Sequence, residues 1–279
     1  EHSFPTRRSS DLYQVVGQDT PRLPIIFTHG GGPGSTAWSN FRLSAETFAT
    51  RHRCYFLDFA QFGRSDMVPV HGPLLGWHAR KLLGFMDALG LERVHLINQS
   101  LGGAVALRLA ADSPQRVGRL ISIGAQPVDR GVLQPLPLFS KHAATLMSDY
   151  YLSDGGPSIS KMRVLLGRYE LHNDELLDDE NLRLRFEASD NASFIQLLQT
   201  PGAFGEWESL LPVLDRVQAP TLLCWGLHDW FGSVDVPMMM LNRLPDARLH
   251  VFGNAAHHLQ SECPDEFNRL ALSFIGAHE

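Results

Sequence analysis

Short apolar runs rich in β-branched and aromatic residues alternate, from Leu12 onward, with stretches whose apolar residues recur at helical spacing. A chain written this way buries its strands most readily in a mostly parallel sheet with helices on its faces. Strands are expected at 24–28, 54–59, 94–98, 120–123, 221–225 and 248–252, and helices at 74–89, 101–111 and 265–275. Right-handed crossovers between such elements give a doubly wound α/β fold. The alternation lapses between 128 and 208, where helical stretches are punctuated by Gly155-Gly156-Pro157 and Pro201-Gly202. This is read as an inserted helical lid (128–208) on a core formed by 13–127 and 209–279. The lid's acidic run from Asp174 to Glu180 reads as a solvated helix face rather than a metal site.

With 279 residues, 44% of them hydrophobic and 19% charged, the chain can bury a substantial core. Its net charge of −6 and lack of a basic cluster argue against nucleic acid or an anionic membrane surface as partner, leaving a small-molecule substrate. No apolar run approaches the roughly 18 to 20 residues that cross a bilayer. Cys54, Cys224 and Cys263 are odd in number and widely spaced, as suits reduced core thiols and a cytoplasmic setting rather than a disulfide framework or a zinc site. The run from Ser3 to Leu12 resembles the translation of a sequencing adapter. Residues 1–12 are therefore set outside the fold as an artefactual tail and expected to be disordered, with the native start and first sheet strand lost.

The chemistry begins at Asn98-Gln99-Ser100-Leu101-Gly102-Gly103, which follows an apolar strand and opens an apolar helix. A nucleophilic serine needs such a sharp turn, with small neighbours and a backbone N–H beside it to hold an oxyanion. The competing reading is a helix-capping serine. After the strand at 24–28, His29-Gly30-Gly31-Gly32-Pro33-Gly34 can turn backbone amides into a cleft, so Gly31 or Gly32 would join the Leu101 amide in an oxyanion hole. A phosphate loop lacks its Gly-Lys-Ser/Thr ending here, and a plain glycine turn remains the alternative. Asp229 and His257 each follow a strand, which places them at the carboxyl edge of the sheet in the chain order Ser, Asp, His. In that arrangement the histidine takes the serine proton and the carboxylate fixes its tautomer.

Rivals remain at each position. Asp235 lies further from its strand end than Asp229. His258 could pair with His257 on a metal, but no further ligands are spaced to help, and a pocket wall is the better reading. Ser158-Ile159-Ser160-Lys161 matches a Ser-x-x-Lys pattern without its companion motifs.

At these residues the chain resembles the meta-cleavage product hydrolases, a branch of the α/β-hydrolases that splits carbon–carbon bonds in ring-opened aromatic compounds. The likeness runs from about Pro24 to the C-terminus. It is carried by the His29–Gly34 loop with Trp38-Ser39-Asn40, by Arg185-Phe186-Glu187-Ala188, and by the stretch from Ala247 through His257 to Leu270. The resemblance implies an α/β-hydrolase fold and a 2-hydroxy-6-oxo-dienoate substrate bound through Asn40 and Arg185. It further implies ketonisation followed by attack at C6 by the Ser100, His257 and Asp229 group, no metal or organic cofactor, and a homo-oligomer. For Arg185 the plain alternative is a solvated helix arginine. The chain departs from the family pattern where Asn98 and Gln99 replace Gly and Asn, Leu101 replaces Met, Ala256 replaces Gly, and His258 replaces Trp, so substrate preference could differ. A carboxylesterase or lactonase on the same scaffold is the nearest alternative, and a ligand-binding receptor with a vestigial site is the alternative from another class. Dehalogenase or epoxide hydrolase chemistry on this fold uses an aspartate where this chain has Ser100.

Overall fold

The computed structural model describes residues 6–7, 12–126 and 146–276. Eight strands form one sheet: β1 (Thr6–Arg7), β2 (Leu12–Val16), β3 (Ile25–Thr28), β4 (Cys54–Asp58), β5 (Val94–Gln99), β6 (Val117–Ile123), β7 (Thr221–Gly226) and β8 (Ala247–Phe252). Their order is β1-β2-β4-β3-β5-β6-β7-β8. From β3 to β8 every pairing is parallel, and β2 runs antiparallel to both β4 and β1.

All six strands expected from the apolar runs are present, with ends shifted by up to three residues. Setting residues 1–12 outside the fold needs correction at two places. Thr6–Arg7 pairs with Tyr13 and Leu12, and Leu12 opens a strand whose partner is Asp58. The β4 edge carries backbone donors and acceptors that need partners. The apolar run from Leu12 to Val16 supplies them, with the Leu12 amide donating to Ser65 Oγ at 2.6 Å. The remainder of 1–11 lies outside the described residues.

Alternation along the strands sends successive side chains to opposite faces. Ile25, Phe27, Phe56, Ile97, Ile121 and Cys224 join one apolar cluster with α1 (Ala37–Ala49) and the C-terminal helix (Pro264–Gly276). Ile26, Leu57, Leu96, Leu120 and Leu223 join the other with α2 (Leu74–Ala88) and α3 (Leu101–Asp112). Phe27 stacks on Phe56 with ring centroids 4.7 Å apart. Cys54 and Cys224 are free thiols in this interior, and burial pushes Cys54 up to about 12. No described helix is long and apolar enough to cross a membrane.

Helix α1 escaped the sequence reading. Its polar Ser and Thr positions blur the periodicity, yet Thr36 caps it by accepting from the Ser39 amide at 3.0 Å. The lid contributes helical residues 146–152, α4 (Ile159–Leu165), a π-helical turn at Leu166–Glu170, α5 (Asp179–Ser189) and α6 (Ala192–Leu198). These close over their own cluster of Tyr150, Tyr151, Met162, Leu165, Leu182 and Phe194. The expected lid start at 128 falls outside the described residues. Within the acidic run, Asp178 caps α5 and pairs with Arg42 of α1 at 2.6 Å, tying lid to core. No metal-holding cluster of three or more His, Cys, Asp or Glu occurs among the described residues.

Candidate active site

Ser100 stands between β5 and α3 with φ 49° and ψ −113°, a conformation that L-residues rarely adopt. Strain of this kind persists only where the surroundings over-determine it, and here they do. The Ser100 amide donates to Ile123 O at 2.7 Å and the Gly102 amide to His29 O at 3.0 Å. A Cβ on Gly102 would lie 2.4 Å from Thr28 Oγ1, so the helix approaches the neighbouring strand as closely as backbone permits. Asn98, the departure before the elbow, fits as a buried strand residue whose amide donates to Thr28 Oγ1 at 2.6 Å.

The glycine loop leans on this elbow. A Cβ on Gly31 would be 3.6 Å from the Leu101 side chain, and one on Gly30 would collide with Gln99 Oε1. Gly31, Gly32 and Leu101 line the same cavity as Ser100. His29 fixes the start of the loop: its Nδ1 donates to Gly30 O at 2.7 Å and its Nε2 accepts the Phe59 amide at 3.0 Å. Burial pushes it down to about 4, in keeping with a neutral imidazole.

Opposite the elbow, His257 Nδ1 is 2.7 Å from Asp229 Oδ2, while Asp229 Oδ1 accepts the Phe231 amide at 2.7 Å and the Gly232 amide at 3.3 Å. The carboxylate is thereby aimed, leaving the other imidazole nitrogen for the nucleophile side. Asp235 is excluded as the histidine's partner: it starts the helix Asp235–Leu241 and accepts from Ser233 Oγ. Gly124, at φ 55°, faces the pair so closely that a Cβ would sit 2.9 Å from His257 Cε1. Gln99 Nε2 donates to His257 O at 3.3 Å, linking the elbow to the histidine loop.

The remaining site residues are arranged less directly. Asn40 Nδ2 donates to Gln99 Oε1 at 3.1 Å, so Gln99 lines the cavity and Asn40 stands behind it. Arg185 is 1% exposed, so the plain reading of a solvated helix arginine is overturned. Its guanidinium makes a two-pronged pair with Glu170, at 2.8 and 2.9 Å, and its Nε donates to Pro33 O at 2.9 Å. Glu170 and His258, rather than Arg185, line the cavity, with His258 Nε2 3.0 Å from Glu170 Oε2. Burial alone would raise the Glu170 carboxyl, but the Arg185 and His258 charges beside it hold it well below the usual carboxylate range.

Glu170 was not anticipated from sequence. It sits on the π-helical turn, outside any regular period, and its only signal would have been the partner that a buried arginine requires. Glu262 was missed as well. Its Oε1 accepts the His172 and Asn173 amides of the lid at 2.7 and 3.1 Å, and its Oε2 accepts the Ala256 amide at 2.6 Å, directly before His257. The Ser158/Lys161 pair is structural: Ser158 caps α4, and Lys161 Nζ donates to Gly156 O at 2.9 Å.

The cavity has a volume of about 400 Å³, within the usual range for small-molecule sites. A strained serine, a carboxylate-held imidazole and two glycine-rich backbone turns around one such cavity can carry acyl-type chemistry: attack on a carbonyl, proton transfer and oxyanion support.

This is the arrangement of a hydrolase, and the comparisons define its class. The alpha/beta hydrolase fold family model matches residues 24–264, and the chain belongs to that family of enzymes. A 2-hydroxy-6-oxononadienedioate/2-hydroxy-6-oxononatrienedioate hydrolase of a Pseudomonas species is 33% identical over 257 residues, covering 90% of this chain and 87% of the relative. A 2-hydroxy-6-oxo-6-phenylhexa-2,4-dienoate hydrolase of Comamonas testosteroni has the same identity and coverage. Among solved structures, a meta-cleavage product hydrolase from Pseudomonas fluorescens superposes with a TM-score of 0.79 at 27% identity, covering 96% of this chain and 95% of its own.

Proposed function

We propose that this hydrolase cleaves the carbon–carbon bond between C5 and C6 of 2-hydroxy-6-oxo-dienoates, with Ser100 as nucleophile, His257 as general base and Asp229 as its orienting carboxylate. The observation that carries the reading is that His257, held by Asp229 at 2.7 Å, lines the same cavity as the strained Ser100. Relatives named as dienoate hydrolases, 33% identical over 90% of the chain, supply the substrate class.

The dienol first ketonises by losing the proton of its 2-hydroxyl and gaining one at C5. The Ser100 hydroxyl then adds to the C6 ketone as His257 takes its proton, and the Gly31 or Gly32 amide with that of Leu101 holds the oxyanion. Breaking C5–C6 leaves an acyl-serine and a dienolate, whose C2 oxygen receives the proton from His257 to give the hydroxypentadienoate. Water, activated by the same imidazole, releases the acid. The Arg185–Glu170–His258 group stands at the cavity, with Arg185 holding Glu170 in place, and is the part of the site that meets the carboxylate of the dienoate. Gln99, backed by Asn40, meets the enol oxygen. No organic cofactor or metal enters the scheme. The enzyme acts in the cytoplasm as a homo-oligomer.

Ester or lactone hydrolysis is the second reading. It is favoured by the engagement of Arg185 with Glu170 and by a likeness to an N-acyl homoserine lactone degrading enzyme (25% identity, TM-score 0.73, covering 95% of this chain and 96% of its own). The test is loss of the yellow colour of 2-hydroxy-6-oxo-6-phenylhexa-2,4-dienoate, with Ser100→Ala and a p-nitrophenyl ester in parallel. Fast, Ser100-dependent bleaching with slower ester turnover supports carbon–carbon cleavage. Ester turnover without bleaching makes the chain an esterase, and binding without either turnover makes it a receptor.

A further inference from the structure

Three histidines around the cavity have their partners: His29 between Gly30 O and the Phe59 amide, His257 on Asp229, and His258 on Glu170. His78 differs. It lies on α2 with 0% exposure and lines the cavity, and neither of its ring nitrogens has a hydrogen-bond partner among the described residues. Leaving a buried polar atom unpaired costs on the order of a hydrogen bond, so an imidazole with both nitrogens unpaired at a cavity wall marks a place where a ligand atom belongs.

The wall around it joins the segment after β4 to residues 203–207, through the Val70 amide donating to Ala203 O and the Leu74 amide to Glu206 O, both at 2.8 Å. Gln61 lines this wall too. Its amide donates to Val68 O and Ala203 O at 2.9 Å each, and its backbone is held at φ 74°. Such strain at a cavity wall fits a functional position. The other residues there, Phe62, Leu74, Phe204 and Trp207, are apolar.

We propose that His78, with Gln61 on the same cavity lining, forms a polar subsite that takes a hydroxyl group on the acyl part of the substrate, the substituent carried at C6. The naming of the acyl part rests on the dienoate reading; the subsite does not. A neutral imidazole offers one donor and one acceptor, and a hydroxyl, itself donor and acceptor, can pair with either nitrogen. Burial, with His29 adding to it, pushes His78 down to about 3, and no lysine or arginine lines the cavity among the described residues. A carboxylate would therefore be desolvated there without a cation. The subsite selects a neutral, hydroxylated ring or chain.

Phenol and toluene are the probes, titrated into wild-type protein, His78→Leu and His78→Asn. The phenol-to-toluene affinity ratio is expected to fall about tenfold in His78→Leu, the scale of one buried neutral hydrogen bond, and to recover in part in His78→Asn. In wild-type protein labelled with 15N-histidine, phenol shifts the ring nitrogens of His78 and toluene does not, a reading that needs no variant to fold. An unchanged ratio, no phenol-dependent shift at His78, or no binding of either probe overturns the subsite and leaves solvent as the partner of the imidazole. Tighter binding of benzoate than of phenol at His78 overturns the choice of a neutral hydroxyl. These measurements involve no bond cleavage, so their failure and a failure of dienoate bleaching are separate results.

Discussion

The imidazole of His257 is confined by an absent side chain. Gly124 comes so near the Asp229–His257 pair, at a positive φ of 55°, that alanine there is both strained and in contact with the ring. Gly124→Ala is expected to keep the fold while displacing His257, lowering kcat about a hundredfold, as sub-ångström to ångström misplacement of a catalytic group does. Steady-state kinetics beside a circular dichroism melt checks this, and a kcat near wild type would show that the loop yields. At Glu170 the expected loss is in stability. The pair with Arg185 is almost wholly buried, so Glu170→Gln leaves a cation without its counter-charge and is expected to cost about 3–5 kcal/mol. Replacing both, as Glu170→Leu with Arg185→Met, recovers much of that cost because two desolvated charges are removed together. Urea unfolding of the two variants measures the difference. The serine, the aspartate and the histidine stood out in the sequence because each follows a strand at a recognisable turn. The Glu170 partnership did not, since it joins residues of the lid with no fixed spacing between them.

At the scale of elements, legibility followed burial. Strands β3 and β5 are buried at every position, and their apolar runs needed no context to be read. Strand β2 mixes half-buried positions and sits beside an edge, and helix α1 turns Ser39, Asn40 and Ser44 inward, so a count of apolar residues understates how much of each is buried. The lid helices α4 and α6 span seven residues each, too short for a periodic pattern to register or for either to be stable without tertiary packing. Beside the His258–Glu170 pair, the lid is held against the catalytic loop by Glu262, a single carboxylate receiving amides from both sides. Glu262→Ala removes an acceptor from three buried or half-buried amides, each bond to a charged group being worth about 1.5–3 kcal/mol. Faster hydrogen exchange at Ala256, His172 and Asn173, with kcat reduced and α2 and α3 unaffected, is the expected result. Exchange rising across the whole chain would instead make Glu262 a global support.

For the whole molecule, the buried histidines set how the fold responds to acid. His29 is held at about 4 and His78 at about 3 by burial, against an ordinary value of 6.5. Below 6.5 the unfolded chain takes up a proton at each site and the folded chain resists. Their contribution to stability is therefore complete above 6.5 and is lost progressively as the pH falls toward 4. Glu170, held below the usual carboxylate value of 4.5, acts in the same direction in a lower window: its contribution is present above 4.5 and declines as acid protonates it. The fold is thus expected to lose stability on acidification in two overlapping stages, the histidines' first and Glu170 joining below 4.5. Within the first, each histidine adds a slope of about 1.4 kcal/mol per pH unit. His78→Leu removes one of the two, so unfolding free energies measured between pH 6.5 and 4.5 should fall less steeply than in wild type by about that amount per unit. Equal slopes would mean that His78 is already protonated in the folded chain.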